Sequence, residues 1–164
     1  MKKVLITLVA VLAVTGTVAF AATDTKTVTV TATVSATAKL SLTSATLTFA
    51  NADPDTTPSI AASEGALTVT AKGKTSAAGN ITLTVKAGGA LTSGTDTIAV
   101  SNLTWTATGA GYVAGTMSSA TAQSVGSWTG SGNYPGTQTY ALLNSWTYTT
   151  GSYTATLTYT LTAP

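Results

Sequence analysis

The chain of 164 residues contains no Cys and no His. Arg is absent too, and charged residues make up only 7% of the sequence. Without His and Cys, the common nucleophilic triads and dyads cannot be built, nor can nearly all zinc, copper or haem sites. Lack of Cys also means that the fold is held without disulfides. Nucleic-acid binding draws much of its affinity from Lys and Arg on phosphates, so a chain with no Arg and few Lys argues against it, and against a polybasic membrane contact. After Asp96 there is no Lys, Asp or Glu. Such a surface lacks the usual charge defence against self-association. No Ser stands between two Gly in the nucleophile-elbow pattern. The stretch GKTS (73–76) matches only the end of a phosphate-binding loop, because Thr68 occupies the place of its first Gly. A hairpin turn is the reading there.

Lys2 and Lys3 precede an apolar run from Val4 to Phe20, and Ala19 and Ala21 satisfy an A-x-A cleavage rule. Residues 1–21 therefore read as a secretory signal peptide with Ala22 as the mature start; a retained membrane anchor is the alternative. No Cys follows the run, so this is not a lipoprotein leader. Residues 22–164 carry five Lys against Asp24, Asp53, Asp55, Glu64 and Asp96, a net charge of zero. They suffice for one domain with a real core.

What the sequence has in abundance is Thr, 39 residues of it, mostly interleaved with Val, Ala, Leu or aromatics at period two. That alternation writes half-buried strands without charge. Its longest run is TVTVTATVSATAKLSL (27–42), with apolar residues at every even position. The phase changes at Thr43-Ser44, after which Ala45, Leu47 and Phe49 become the buried set, so a bulge, a bend or a change of sheet is expected. A second slip falls at Ser101-Asn102. NADPDTTP (51–58) and GSGNYPG (130–136) read as loops. Further strands are expected near 66–72, 81–87, 97–108, 112–117, 122–129, 137–148 and 153–163. Together they predict an all-β protein: an antiparallel immunoglobulin-like β-sandwich with a long N-terminal strand over 23–42, a closed barrel being the alternative. A transmembrane barrel is disfavoured by the Thr-faced strands and the lack of aromatic girdles.

Two places could carry chemistry. Asn51, Asp53 and Asp55 have the one-three-five spacing of a calcium loop, which Glu64 could complete, although Thr56 and Ala62 stand where the loop's Gly and final acid belong. A plain Asx-and-Pro turn is the alternative. Read as a glycosidase pair, Asp53 and Asp55 lack Arg or His partners for a substrate. Trp128 and Tyr134 flank the Gly-rich loop and offer a candidate flat surface for glycan stacking; Trp105, Tyr140, Trp146, Tyr148, Tyr153 and Tyr159 fall on strand phase and read as packing.

The ending GSYTATLTYTLTAP (151–164) resembles the closing strand of WxL-domain cell-surface proteins, with Tyr159, Thr160 and Leu161 where that family has Trp-x-Leu. Trp105 is followed by Thr106 and Ala107, so the family's other triplet is also absent. The same ending is similar to the last strand of secreted fimbrial subunits of the spore-coat-U and chaperone–usher kind. That resemblance implies an immunoglobulin-like sandwich assembled when one subunit's N-terminal extension completes its neighbour's sheet. Here the extension would present Val28, Val30, Ala32, Val34 and Leu40 to successive pockets. The expected role is a secreted, non-enzymatic structural or cell-surface protein that self-associates by strand addition, with no cofactor other than calcium. The alternative is a monomeric cell-wall or glycan-binding module.

Overall fold

The computed structural model describes residues 22–164; the expected signal peptide, residues 1–21, lies outside the described residues. The chain divides between Thr33 and Val34. In the first part, residues 22–33 belong to no strand and are exposed throughout.

The second part is built from ten antiparallel strands. They are β1 (Thr37–Leu42), β2 (Ser59–Lys74), β3 (Asn80–Ala87), β4 (Leu91–Ser93), β5 (Asp96–Ile98), β6 (Leu103–Thr108), β7 (Gly115–Thr116), β8 (Gln123–Thr129), β9 (Gly132–Leu143) and β10 (Leu157–Thr162). One sheet has the order β1-β2-β9-β6-β7, a second β10-β3-β8, and β4 and β5 form a small hairpin. The core lies between the two larger sheets, as in a sandwich. Val69 and Ala71 of β2, Tyr140 of β9 and Trp105 of β6 pack in the same apolar cluster as Ile81, Leu83 and Val85 of β3 and Val125 of β8.

Period-two patterning accounts for most of these elements. In β3, Ile81, Leu83 and Val85 are fully buried while the Thr and Lys between them face outward. Both predicted phase slips are real features. At Ser101-Asn102 a single 3-10 turn (Val100–Asn102) separates β5 from β6, and after Thr43-Ser44 the chain leaves β1 and runs without regular strand to Pro58. The stretch GKTS falls at the end of β2, in the turn to β3.

Three expectations are corrected. The long first strand is short: only Thr37–Leu42 pairs, antiparallel to β2, and residues 27–36 are not strand. Alternation reports a capacity to pair, and the run upstream of Thr37 has no partner in the ladder. The supposed loop 130–136 belongs mostly to β9, which begins at Gly132 and pairs with β2 through Gly73↔Gly132 and Thr70↔Pro135. Pro135 is tolerated because the ladder with β6 stops at Thr137, leaving it one side where no N–H is required. Gly136 is needed for space, since a Cβ there would clash with the Tyr112 ring. Finally, β9 ends at Leu143, so Trp146 lies beyond the strand and is 69% exposed.

Near its start β2 carries a bulge between Ala61 and Ala66, with Gly65 at φ 71°. Positive φ favours Gly there. The bulge turns Glu64 toward the incoming segment, where its carboxylate accepts from the Thr48 amide at 2.8 Å and the Thr48 hydroxyl at 2.7 Å. The Ser63 amide donates to the Thr48 carbonyl at 2.8 Å. These bonds lay residues 45–50 alongside β2 without a regular ladder. Leu47 and Phe49 tuck against the core, as the phase slip predicts, but Ala45 is exposed.

Candidate functional site

In the loop expected to bind calcium, Asp53 and Asp55 each have one carboxylate oxygen engaged. Asp53 accepts from the Asp55 amide at 2.9 Å, closing an Asx turn, and Asp55 accepts from the Trp146 indole N–H at 3.0 Å. Glu64 is committed to Thr48. Among the described residues no group of three or more His, Cys, Asp or Glu that could hold a metal ion occurs, so Asp53, Asp55 and Glu64 do not form one. Thr48 holds the Glu64 carboxyl below its ordinary value of 4.5, the amide bond being the larger cause and the hydroxyl bond the next.

Trp128 and Tyr134 do meet, but as packing. Their rings stack at 4.8 Å and 10°, and Tyr112 closes edge-on to Trp128 at 4.9 Å. Trp128 is only 7% exposed, and its indole N–H donates to the Ala110 carbonyl. Tyr134 covers the indole face on which it stacks and is itself half-buried. The single hydroxyl proton of Tyr112 lies within reach of both the Val69 and the Tyr134 carbonyls, tying β9 to β2 beyond their ladder.

The proposed donor residues lie otherwise. Val28, Val30 and Val34 are 85%, 87% and 74% exposed, and Ala32 is exposed with them. Leu40 differs: it sits in β1 opposite Ala71 and packs partly against the protein's own core. Four of the five residues are thus available to a partner, and the fifth is used at home.

Sequence reasoning did not find a groove in the side of the sandwich. A groove of about 1160 Å³ opens along its side, between residues 42–54 and residues 142–157. Its floor includes Leu67, Leu103 and Leu142 of one sheet and Leu91 and Ile98 of the β4–β5 hairpin, while Leu157 and Tyr159 of β10 form a wall. The rim carries Thr and Ser hydroxyls, Asn51 and Asn144, and among its lining residues Asp53 alone is charged. Asn144 fixes the rim by donating to the Ala52 and Thr57 carbonyls, at 3.0 Å each. Small-ligand pockets run to about 300–1,000 Å³; this groove is larger, apolar below and hydroxyl-rich above. The sequence signal for it was the apolar period of 45–49, which places side chains near the core without supplying a ladder partner.

One polar cluster lies under β10. Tyr140 donates to the Tyr159 hydroxyl, which donates to Oε1 of the fully buried Gln138, whose Nε2 finds no partner. Burial pushes the Tyr140 hydroxyl up to about 12, and it raises Tyr159 in the same direction. The cluster bonds β10 of one sheet to β9 of the other across the core.

Fold and site therefore define an all-β, sandwich-like protein with an apolar side groove and an unpaired alternating segment. No family model matches the chain, and no curated protein matches it either.

Proposed function

We propose that this is a secreted, non-enzymatic structural or cell-surface protein whose copies associate by strand addition, residues 27–34 of one copy extending a sheet of another. One observation carries the reading: Val28, Val30 and Val34 stand 85%, 87% and 74% exposed at alternate positions of a segment that belongs to no strand. Apolar side chains in that register bury as a row only when the segment joins a sheet. Each Val so buried contributes about 1.5–3 kcal/mol. Secretion follows from the leader pattern in residues 1–21, and the sandwich is read as immunoglobulin-like from its two antiparallel sheets and their non-sequential strand order.

The test uses protein from expression of the complete reading frame, examined by sedimentation velocity and electron microscopy beside the variant Val28→Asp/Val30→Asp/Val34→Asp. Concentration-dependent assemblies are expected from the parent and monomers from the variant. All three positions are exposed, so the variant keeps its fold. A parent that stays monomeric at every concentration rejects the proposal.

A further inference from the structure

The two larger sheets have four terminal strands at which another strand could add: β1 and β7 in one, β10 and β8 in the other. They are not equivalent. On β1, Lys39 stands directly opposite Lys72, with Lys74 two residues along the same strand as Lys72. Lys on an edge strand is a common device against strand addition, and two like charges in register leave no acid to neutralise either. Strand β7 is two residues long. The outer side of β8 is already taken by residues 111–113: the Ser127 amide donates to the Gly111 carbonyl, and the Val113 amide donates to the Val125 carbonyl. That leaves β10, which pairs with β3 alone. Its sequence, LTYTLT, is uncharged.

The groove lies beside that same edge. Leu157 and Tyr159, two of the inward-facing residues of β10, form its wall, and its floor is core leucine and isoleucine. A strand laid against β10 turns alternate side chains into the groove and the others to solvent. Residues 27–34, TVTVTATV, fit both demands. Val28, Val30, Ala32 and Val34 would face the floor, and the Thr residues would face the hydroxyl rim. Eight residues at about 3.3 Å each span roughly 26 Å. Neither the segment nor β10 carries a charge to desolvate.

We infer that the free edge of β10, with the groove beside it, is the acceptor site, and that its occupant is residues 27–34 of a second copy of this chain. The inference rests on the strand-addition reading and assigns its address.

Absence of Cys makes cross-linking clean. One set of full chains carries a single substitution in the donor, Thr29→Cys, Thr31→Cys or Thr33→Cys, which scans the register. The other set carries Thr158→Cys on β10, Ser41→Cys on β1 or Ser124→Cys on β8. All six positions are exposed, so folding is spared. Donor and acceptor chains are mixed in pairs under mild oxidation, and only disulfides between different chains count. The expected result is a heterodimer with Thr158→Cys that exceeds those with Ser41→Cys and Ser124→Cys by about tenfold, equivalent to about 1.4 kcal/mol. It should vanish when the donor also carries Val30→Asp. Preference for β1 or β8, or assemblies that cross-link at none of the three, overturns the assignment while strand addition survives. Monomers with no cross-link overturn both. A fluorescent acyl-chain probe that binds the groove of the monomer, and is not displaced as assemblies form, makes the groove a small-ligand site and also overturns the assignment.

Discussion

Gln138 is the buried polar residue whose neighbours decide its worth. Its Oε1 accepts from Tyr159, while its Nε2 is unpartnered. An unsatisfied buried donor costs more than a made bond returns. Tyr159→Phe should destabilise the fold by about 1–3 kcal/mol in urea denaturation, because it strips Gln138 and Tyr140 of their shared partner. The triple variant Tyr140→Phe/Tyr159→Phe/Gln138→Met should lose less than the sum of its single changes. The hydroxyls also set a pH response. The Tyr140 hydroxyl is raised from 10 to about 12 in the folded state, so the unfolded chain releases its proton first and binds fewer protons between those values. Stability is therefore present in full below pH 10 and falls as pH rises toward 12, and Tyr140→Phe should flatten that slope in urea midpoints. Gly136 is constrained by space: Gly136→Ala drives a methyl into the Tyr112 ring and should cost about 1–3 kcal/mol.

Elements in this protein were legible where both faces of a strand had a fixed destiny. β3 read correctly because alternate residues go to the core and the rest to solvent. Residues 27–36 have the same alternation and no strand, because period two describes side chains and says nothing of whether a ladder partner exists. β9 was hidden in its first third: Gly132, Pro135 and Gly136 are turn formers by propensity, yet tertiary packing on Tyr112 and the missing β6 partner make them strand. The candidate site was half legible. Val28, Val30 and Val34 could be named from pattern alone, whereas the groove depends on two sheets meeting. That Trp128 and Tyr134 stack on each other was not legible, because aromatics look alike in sequence whatever they pack against. The segment 45–50 depends on Glu64 for its attachment, and this gives an acid-side prediction. The carboxyl is held below 4.5, so the contact is present above that value and is lost as pH falls through the depressed one. The Thr48 amide resonance should shift in that acid range, and in Glu64→Gln it should be flat with pH.

Over the whole molecule, charge plays almost no part. Among the described residues the only ion pair joins Lys26 and Asp24, both exposed. Association through an uncharged segment and an uncharged edge should therefore change by less than about threefold between low salt and about 0.5 M NaCl, where surface charges are screened, and should strengthen in sulfate. Sedimentation equilibrium across the series checks it. A steep loss with NaCl would point to the Lys face of β1 and β2 instead.

The pairing of β10 with β3 has a consequence in time. Leu157 lies against Ala87 and Thr162 against Thr82, so the second sheet is joined by partners distant in sequence. Contacts of that kind form slowly. During synthesis, everything from β1 to β9 can emerge while β3 still shows a bare, apolar flank. A chain delayed at that moment exposes the flank of β3 in place of the β10 edge, and a neighbour's β10 fits it as well as its own. The chain is best kept from its copies until residues 157–162 have arrived, which makes the delivery of this protein, and not its final fold, the step most exposed to error.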